Sequence, residues 1–536
     1  MRVFSLLIKS LLVVLLISGC CLAVTGDTIR SIPSPSVCPQ GLAYGDNHIW
    51  NVDRKTDMIY KINPINGTAV DSFQAPGYFP RGLAWDGGNL WCVDAEEQQI
   101  YSINPQTRIV ERAIFCPLSR PTGLTWDGKY LWIAAGRNNE LHQISAMDGT
   151  TIRSIPSPTS NSCGLTFDGK YLWVSDRYKD MIYMVSIDDG TVIVTFDAPG
   201  PHSWGLAGDG DFLWNVDYQT DEIYQLLVHD DDLFSRSEEK TQFLEFTHQV
   251  RNFGPDTIKT LDVYLAIPKN LDNQELTAKL VFDPDPIEII TDRWDQEIAH
   301  FVFQDLGPTD FTAVSMKAHV KLYKTQYYIF PEKVGSLKDI PKPIREKYLV
   351  DNTKFSITDP VIQNGVKEAV GDENNPYWIA RRIFKYIIDH VEYELSGGWN
   401  VAPTVLARGN GSCSEYSFVY IAMCRSAGLP ARYVGSVAIR GDDASRDDVF
   451  HRWVEVYLPG YGWIPVDPSG GDRKRPADQA RYFGHLNNCF LITTTGGGGS
   501  EYLEWSYNCN EKWTSKGKCK IAVENIGEWS PLEETE

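Results

Sequence analysis

Over the first two-fifths of the chain, apolar residues alternate with polar ones in short runs broken by turn residues at regular intervals. Gly-Leu recurs at Gly41, Gly82, Gly123, Gly164 and Gly205, a period of 41 residues, and a Trp follows nine positions after each Gly (Trp50, Trp91, Trp132, Trp173 and Trp214). Four copies carry a turn signal at one offset: Asp86-Gly87, Asp127-Gly128, Asp168-Gly169 and Asp209-Gly210. Alternating runs joined by Asp-Gly pairs predict hairpins, and about four short strands per repeat of roughly 40 residues predict one blade of a β-propeller. Five copies predict a five-bladed ring over 27–229. The segment 28–35 recurs almost verbatim at 151–158, three periods later, while the fifth repeat stops after Leu226-Leu227-Val228. The first strand is therefore expected to complete the last blade and latch the ring. A residue repeated in every blade marks a packing position, so the Trp series is expected in the core and not in a ligand cage. Architecture alone assigns the ring no ligand.

After the acidic stretch Asp230-Asp231-Asp232 the period stops and plain alternation takes over, as in Phe243-Leu244-Glu245-Phe246 and Val263-Tyr264-Leu265-Ala266-Ile267. This predicts a β-sandwich over 236–330. Beyond Pro331 apolar residues fall four apart at Ile379, Ile383, Ile387 and Val391, behind Asn375-Pro376, which predicts a helix and opens an α+β domain over 331–495. A second helix is predicted from Ser412-Cys413-Ser414-Glu415, a capping box, to Ala427, with Gly428 as its stop. Two strands, 451–457 and 463–467, flank the turn Pro459-Gly460-Tyr461-Gly462 and predict a hairpin that brings His451 and Asp467 within about two residues of register. Residues 496–536 read as a C-terminal extension.

A chain of 536 residues with 43% hydrophobic and 12% aromatic content and 16 Trp fits several packed domains and excludes a fibrous or largely disordered protein. Its N-terminus has a grammar of its own. Arg2 and Lys9 accompany an apolar run from Leu11 to Ile17, too short to span a bilayer, which predicts an export signal over 1–19. The sequence Leu16-Ile17-Ser18-Gly19-Cys20 resembles the lipobox of bacterial lipoproteins. That resemblance implies a lipid on Cys20 and a membrane-anchored protein on the cell surface or in the periplasm. Loss of Arg2 and Lys9 with the leader makes the mature chain two charges more negative than the formal −20 of the whole, and no basic cluster with interleaved aromatics offsets this. Nucleic acid is excluded as a partner. Of the 11 cysteines, Cys509 and Cys519 are the pair best placed in sequence for a disulfide, and no Cys-x-x-Cys spacing suggests a zinc site.

The chemistry gathers at Cys413. A thiol is a good nucleophile only as the thiolate, and a helix start together with a neighbouring imidazolium favours that form. Cys413 opens a capped helix, His451 is the candidate base, and Asp467 is the group that would fix the imidazole tautomer. The motifs 403–416, 425–432, 451–456 (His-Arg-Trp-Val-Glu-Val) and 462–468 (Gly-Trp-Ile-Pro-Val-Asp-Pro), in this order, resemble the transglutaminase-like superfamily. The resemblance implies a papain-like core with Cys413, His451 and Asp467 as its triad, acting on a protein or peptide substrate without a metal or other cofactor. It also implies a further side-chain donor upstream of the Cys, for which Trp399 and Asn400 are the candidates. Some transglutaminases need Ca²⁺, and the acidic loop 441–448 with Asp442, Asp443, Asp447 and Asp448 is compatible with it, but reads first as a solvated loop.

The first reading is thus an exported, lipid-anchored cysteine peptidase or amidase that forms an acyl-enzyme at Cys413 and passes it to water. A protein-glutamine transglutaminase, delivering the acyl group to an amine, uses the same triad. A third reading, a surface binding protein acting through the propeller on a protein or cell-surface ligand, leaves the triad unused.

Overall fold

The computed structural model describes residues 24–228, 232–395 and 398–532. Cys20 and the export signal expected over 1–19 lie outside the described residues. The first half is a ring of five four-stranded antiparallel sheets. The blade Pro39–Gly45, His48–Asp53, Met58–Ile62 and Ala69–Gln74 sets the pattern for the next three. The fifth blade takes three strands from Ser203–Gly208, Phe212–Asp217 and Glu222–Leu227 and its outermost strand from Thr28–Pro33, with Ser31 opposite Tyr224 and Ile32 opposite Ile223. The N-terminal strand therefore latches the ring.

Packing explains the repeated residues. The Gly of each Gly-Leu lies on the innermost strand, where a Cβ would stand 2.1 to 2.8 Å from backbone of the next blade: Gly41 from the Arg81 carbonyl, Gly123 from the Cys163 carbonyl, Gly164 from the Trp204 carbonyl. Gly205 would meet the Gln40 carbonyl at 2.3 Å, which carries the contact from blade five back to blade one. A side chain at any of these positions would prise blades apart. The five Trp are buried between blades, and in four of them the indole N–H donates to the turn Asp five residues earlier: Trp91 to Asp86, Trp132 to Asp127, Trp173 to Asp168 and Trp214 to Asp209, at 2.7 to 2.9 Å. Blade one lacks that Asp, and Trp50 donates to the Gly45 carbonyl instead.

The sandwich departs from its expected limits. One sheet holds Phe234–Pro255 between Phe311–Tyr327 and Cys519–Pro531, and the other holds Ile258–Ala266 between Glu297–Leu306 and Cys509–Ser515. Residues 496–536 are therefore not an appended extension to a sandwich ending at 330. They supply one strand to each sheet, and the α+β domain is inserted between the sandwich's own strands. Cys509 and Cys519 start strands in opposite sheets and are both free, so the disulfide does not form; the strand between them spans about 20 Å.

The inserted domain has the four-stranded sheet order Gly462–Val466, His451–Leu458, Ala431–Ala438, Phe490–Gly496, packed against the helix Cys413–Ser426. Helix Pro376–His390 is capped by Asn375, whose side chain accepts the Tyr377 amide, and buries Ile379, Ile383 and Ile387. The domain docks on blade four and the connection leading into it: Arg381 donates to the Val192 carbonyl of the outermost strand, the Ala477 amide to the Pro158 carbonyl, and Lys179 pairs with Asp478. Among the described residues no helix is long and apolar enough to cross a membrane.

Candidate active site

Cys413 is the first residue of its helix, after the N-cap Ser412. First-turn amides have no intrahelical acceptor and lie at the positive end of the helix dipole. The capping box is built around Glu415, which is fully buried and collects four donors: the Ser412 amide at 3.1 Å, Arg408 at 3.1 Å, and both the backbone and side-chain amides of Asn400 at 3.1 and 2.9 Å. Glu415 thus ties the segment before the helix to the helix start and fixes where the thiol stands.

The hairpin delivers the other two residues. Val454 pairs with Val466, so Asp467 follows its strand directly and His451 lies two residues beyond the register of Asp467. His451 Nε2 is 2.8 Å from Asp467 Oδ2, while the other carboxylate oxygen accepts from the Ser469 hydroxyl at 2.7 Å and the Gly470 amide at 2.9 Å. The His451 ring is also hydrogen-bonded to the Cys413 side chain. The structure therefore brings together all three residues singled out in the sequence.

The electrostatics favour an ion pair. Burial raises the Cys413 pKa, but the hydrogen bond and charge of His451 and the amide of Arg452 outweigh it, and the net shift is downward. Burial lowers the His451 pKa, yet Asp467 and the Cys413 sulfur push it up to about 10. Asp467 is held below its ordinary value by His451, against the cost of burial. Thiolate and imidazolium stabilise each other here.

Arg452 and Phe490 were not singled out as functional from sequence. Arg452, next to the base but on the opposite face of the strand, is buried within 4.3 to 5.4 Å of the Tyr507, Tyr433, Trp399 and Phe418 rings and donates to the Trp505 carbonyl. Trp399 stacks on Tyr507 at the edge of this cage and remains half exposed. Asn400, the other candidate upstream donor, gives one side-chain N–H to Glu415 at 2.9 Å. Phe490 stacks on His451 at 5.6 Å, and a cavity of about 230 Å³ opens at the His451–Asp467 edge between Trp453, Tyr482, His485 and Phe490. Glu455 pairs with Arg432, away from chemistry. The acidic loop is not simply solvated: Ser445–Asp447 pairs with Cys519–Pro531, and buried Asp447 binds Arg440 and the Ala438 and Phe450 amides. Among the described residues no group of three His, Cys, Asp or Glu is arranged to hold a metal ion.

Residues 364–468 match the transglutaminase-like superfamily, so the chain carries a domain of a superfamily of cysteine-dependent enzymes. An uncharacterised protein of Haemophilus influenzae is 25% identical over 174 residues, covering 27% of this chain and 47% of that protein. The uncharacterised protein YebA of Bacillus subtilis is 34% identical over 71 residues, 11% of this chain and 10% of YebA. The chain thus spans less than half the length of these relatives. Among solved structures, a candidate cysteine protease from Cytophaga hutchinsonii aligns with TM-score 0.38 and 16% identity over 55% of this chain and 100% of its own. Myxococcus xanthus glutaminyl cyclase gives 0.35 and 16% over 38% and 97%. Virginiamycin B lyase from Staphylococcus aureus gives 0.26 and 20% over 37% and 69%.

Proposed function

We propose that this protein is an exported thiol enzyme that cleaves an amide or peptide bond through an acyl-enzyme at Cys413. The observation that carries the reading is the coupled set of Cys413 at a helix start, His451 against it, and Asp467 at 2.8 Å from His451 Nε2. In the first step the Cys413 thiolate attacks the carbonyl carbon, and the developing oxyanion takes the first-turn amides of the helix. His451, as imidazolium, gives its proton to the departing amine as the C–N bond breaks, leaving a thioester and neutral imidazole. That imidazole then takes a proton from water, the hydroxide adds to the thioester carbonyl, and collapse expels the Cys413 thiolate with the carboxylic acid as product. Asp467 holds the tautomer in both halves and stays ionised throughout.

The leader and its Leu16-to-Cys20 motif support export and attachment through a lipid on Cys20. The test supplies a mixture of unstructured peptides together with excess reporter amine to wild type and to Cys413→Ala, and weighs the products. Peptides cleaved or deamidated by water, in wild type alone, support hydrolysis; products carrying the amine replace it with transglutamination; equal product profiles from the two proteins reject a thiol enzyme and leave the propeller as the working part.

A further inference from the structure

At its packing positions the propeller is five-fold regular, but around one mouth of the ring it is not. Equivalent positions there hold Cys38, Phe79, Arg120, Asn161 and His202; Gln40, Arg81, Thr122, Cys163 and Trp204; and Arg54, Ala95, Gly136, Arg177 and Tyr218. A symmetric scaffold that needs no particular residue for packing has collected guanidiniums and aromatic rings at its axis. Arg54 lies 4.0 Å and Arg81 4.6 Å from the Phe79 ring centre; on the far side Arg81 and Arg177 lie 5.0 and 4.9 Å from that of Trp204. Three cations thus alternate with two rings across the opening.

Two further observations mark this as a site left open. Trp204 is 3% exposed, yet its indole N–H has no partner among the described residues. The cations likewise form no ion pair among the described residues. Lys61, Arg108 and Lys170, elsewhere on the propeller, pair with Asp46, Asp71 and Glu332, while Arg30 and Arg153 hydrogen-bond to Gln225 and Gln143. Arg81 instead donates to the Gln40 amide oxygen and Arg177 to the Tyr178 hydroxyl, and neither they nor Arg54 form an ion pair among the described residues. Burial, and after it the like charges of Arg54 and Arg177, lower the Arg81 pKa to about 10. The equivalent Asp53, Asp94, Asp176 and Asp217 are buried at this end and committed to turn amides, Asp53 to those of Lys55 and Thr56, Asp94 to those of Glu96 and Glu97, Asp176 to those of Tyr178 and Lys179, and Asp217 to those of Gln219 and Thr220. Glu96 and Glu97 bring negative charge to the same end, in blade two.

We propose that this mouth is a docking site for an acidic polypeptide segment, whose carboxylates take Arg54, Arg81 and Arg177 and whose apolar side chains lie on Phe79. A flexible peptide can present carboxylates at the spacing of the arginines, and a carboxylate can take two parallel hydrogen bonds from one guanidinium. The mouth is also close to the chemistry. Helix Pro476–Ala480, nine residues beyond Asp467, docks at its rim through the Ala477–Pro158 and Asp478–Lys179 contacts, behind the exposed basic run Arg473-Lys474-Arg475. A segment held at the mouth is presented beside the domain that carries Cys413, although docking itself does not depend on that residue.

The experiment measures anisotropy of a fluorescent hexaglutamate peptide with the full chain at about 50 mM and about 300 mM salt. Saturable binding that weakens with salt is expected, falling about tenfold in Arg81→Gln and in Arg54→Gln, while Cys413 alkylation is unchanged in both. Arg54 is exposed, so its variant keeps the test valid if Arg81→Gln unfolds. Failure of hexaglutamate to bind, equal affinity in Arg54→Gln, or displacement by equimolar inorganic phosphate overturns the proposal. Intact Cys413 labelling alongside any of these results confines the failure to the propeller.

Discussion

At Cys413 the decisive quantity is the proton balance between two side chains. The thiol pKa is depressed and the imidazole pKa is raised, so the ion pair is populated between them and is lost as pH falls through the first or rises through the second, about 10. Alkylation of Cys413 by iodoacetamide, followed against pH, is expected to have its midpoint below the ordinary thiol value, and His451→Ala is expected to move that midpoint upward. Asp467→Asn is expected to keep a reactive Cys413 but to cut turnover by about 100-fold or more, because the amide can hold the wrong tautomer; steady-state rates with the peptide mixture check this. The three residues were legible because each stands in a short local pattern: a capping box, a strand start and a strand end across one turn. The cage around Arg452 was not, since its rings come from positions 399, 418, 433 and 507, which only the folded chain brings together.

Among elements, the constraints are close approaches and buried donors. A Cβ at Gly123 would sit 2.1 Å from the Cys163 carbonyl, so Gly123→Ala must push blades three and four apart. A loss of about 3 kcal/mol is expected, read from denaturant or thermal unfolding of the full chain. Glu415→Ala leaves four donors around a buried gap and is expected to cost about 3 kcal/mol and to slow Cys413 alkylation, since the helix start loses its anchor. Glu415→Gln, which keeps an acceptor, is expected to recover part of both. The 41-residue period and the i to i+3 capping pattern made these elements readable. What the period hid was the partner of Trp91, Trp132, Trp173 and Trp214, because the Asp five residues earlier read as a turn signal and also accepts the indole N–H.

For the whole molecule, the sandwich is where sequence order and space part company. Its strands at Cys509–Ser515 and Cys519–Pro531 lie some 200 residues beyond the rest, and a short polar-alternating strand does not say which sheet it will join. Propeller closure was legible only because 28–35 repeats a later segment nearly word for word; the sandwich strands have no such copy. Deleting 509–532 removes a strand from each sheet and the pairing of Ser445–Asp447 near the His451 strand. Such a chain is expected to lose cooperative unfolding of the sandwich and Cys413 reactivity together, as monitored by calorimetry and alkylation, while the latched propeller keeps its own transition. The account as a whole turns on whether Cys413 is the activated thiol among the nine free cysteines described, three of which besides it, Cys38, Cys489 and Cys519, are also partly accessible. Competitive alkylation near pH 6 with limiting iodoacetamide, mapped by peptide mass spectrometry, tests that directly. The prediction is that Cys413 is modified first and that His451→Ala removes its lead; modification spread over Cys38, Cys489 and Cys519 ahead of Cys413, or an unchanged order in His451→Ala, would contradict it.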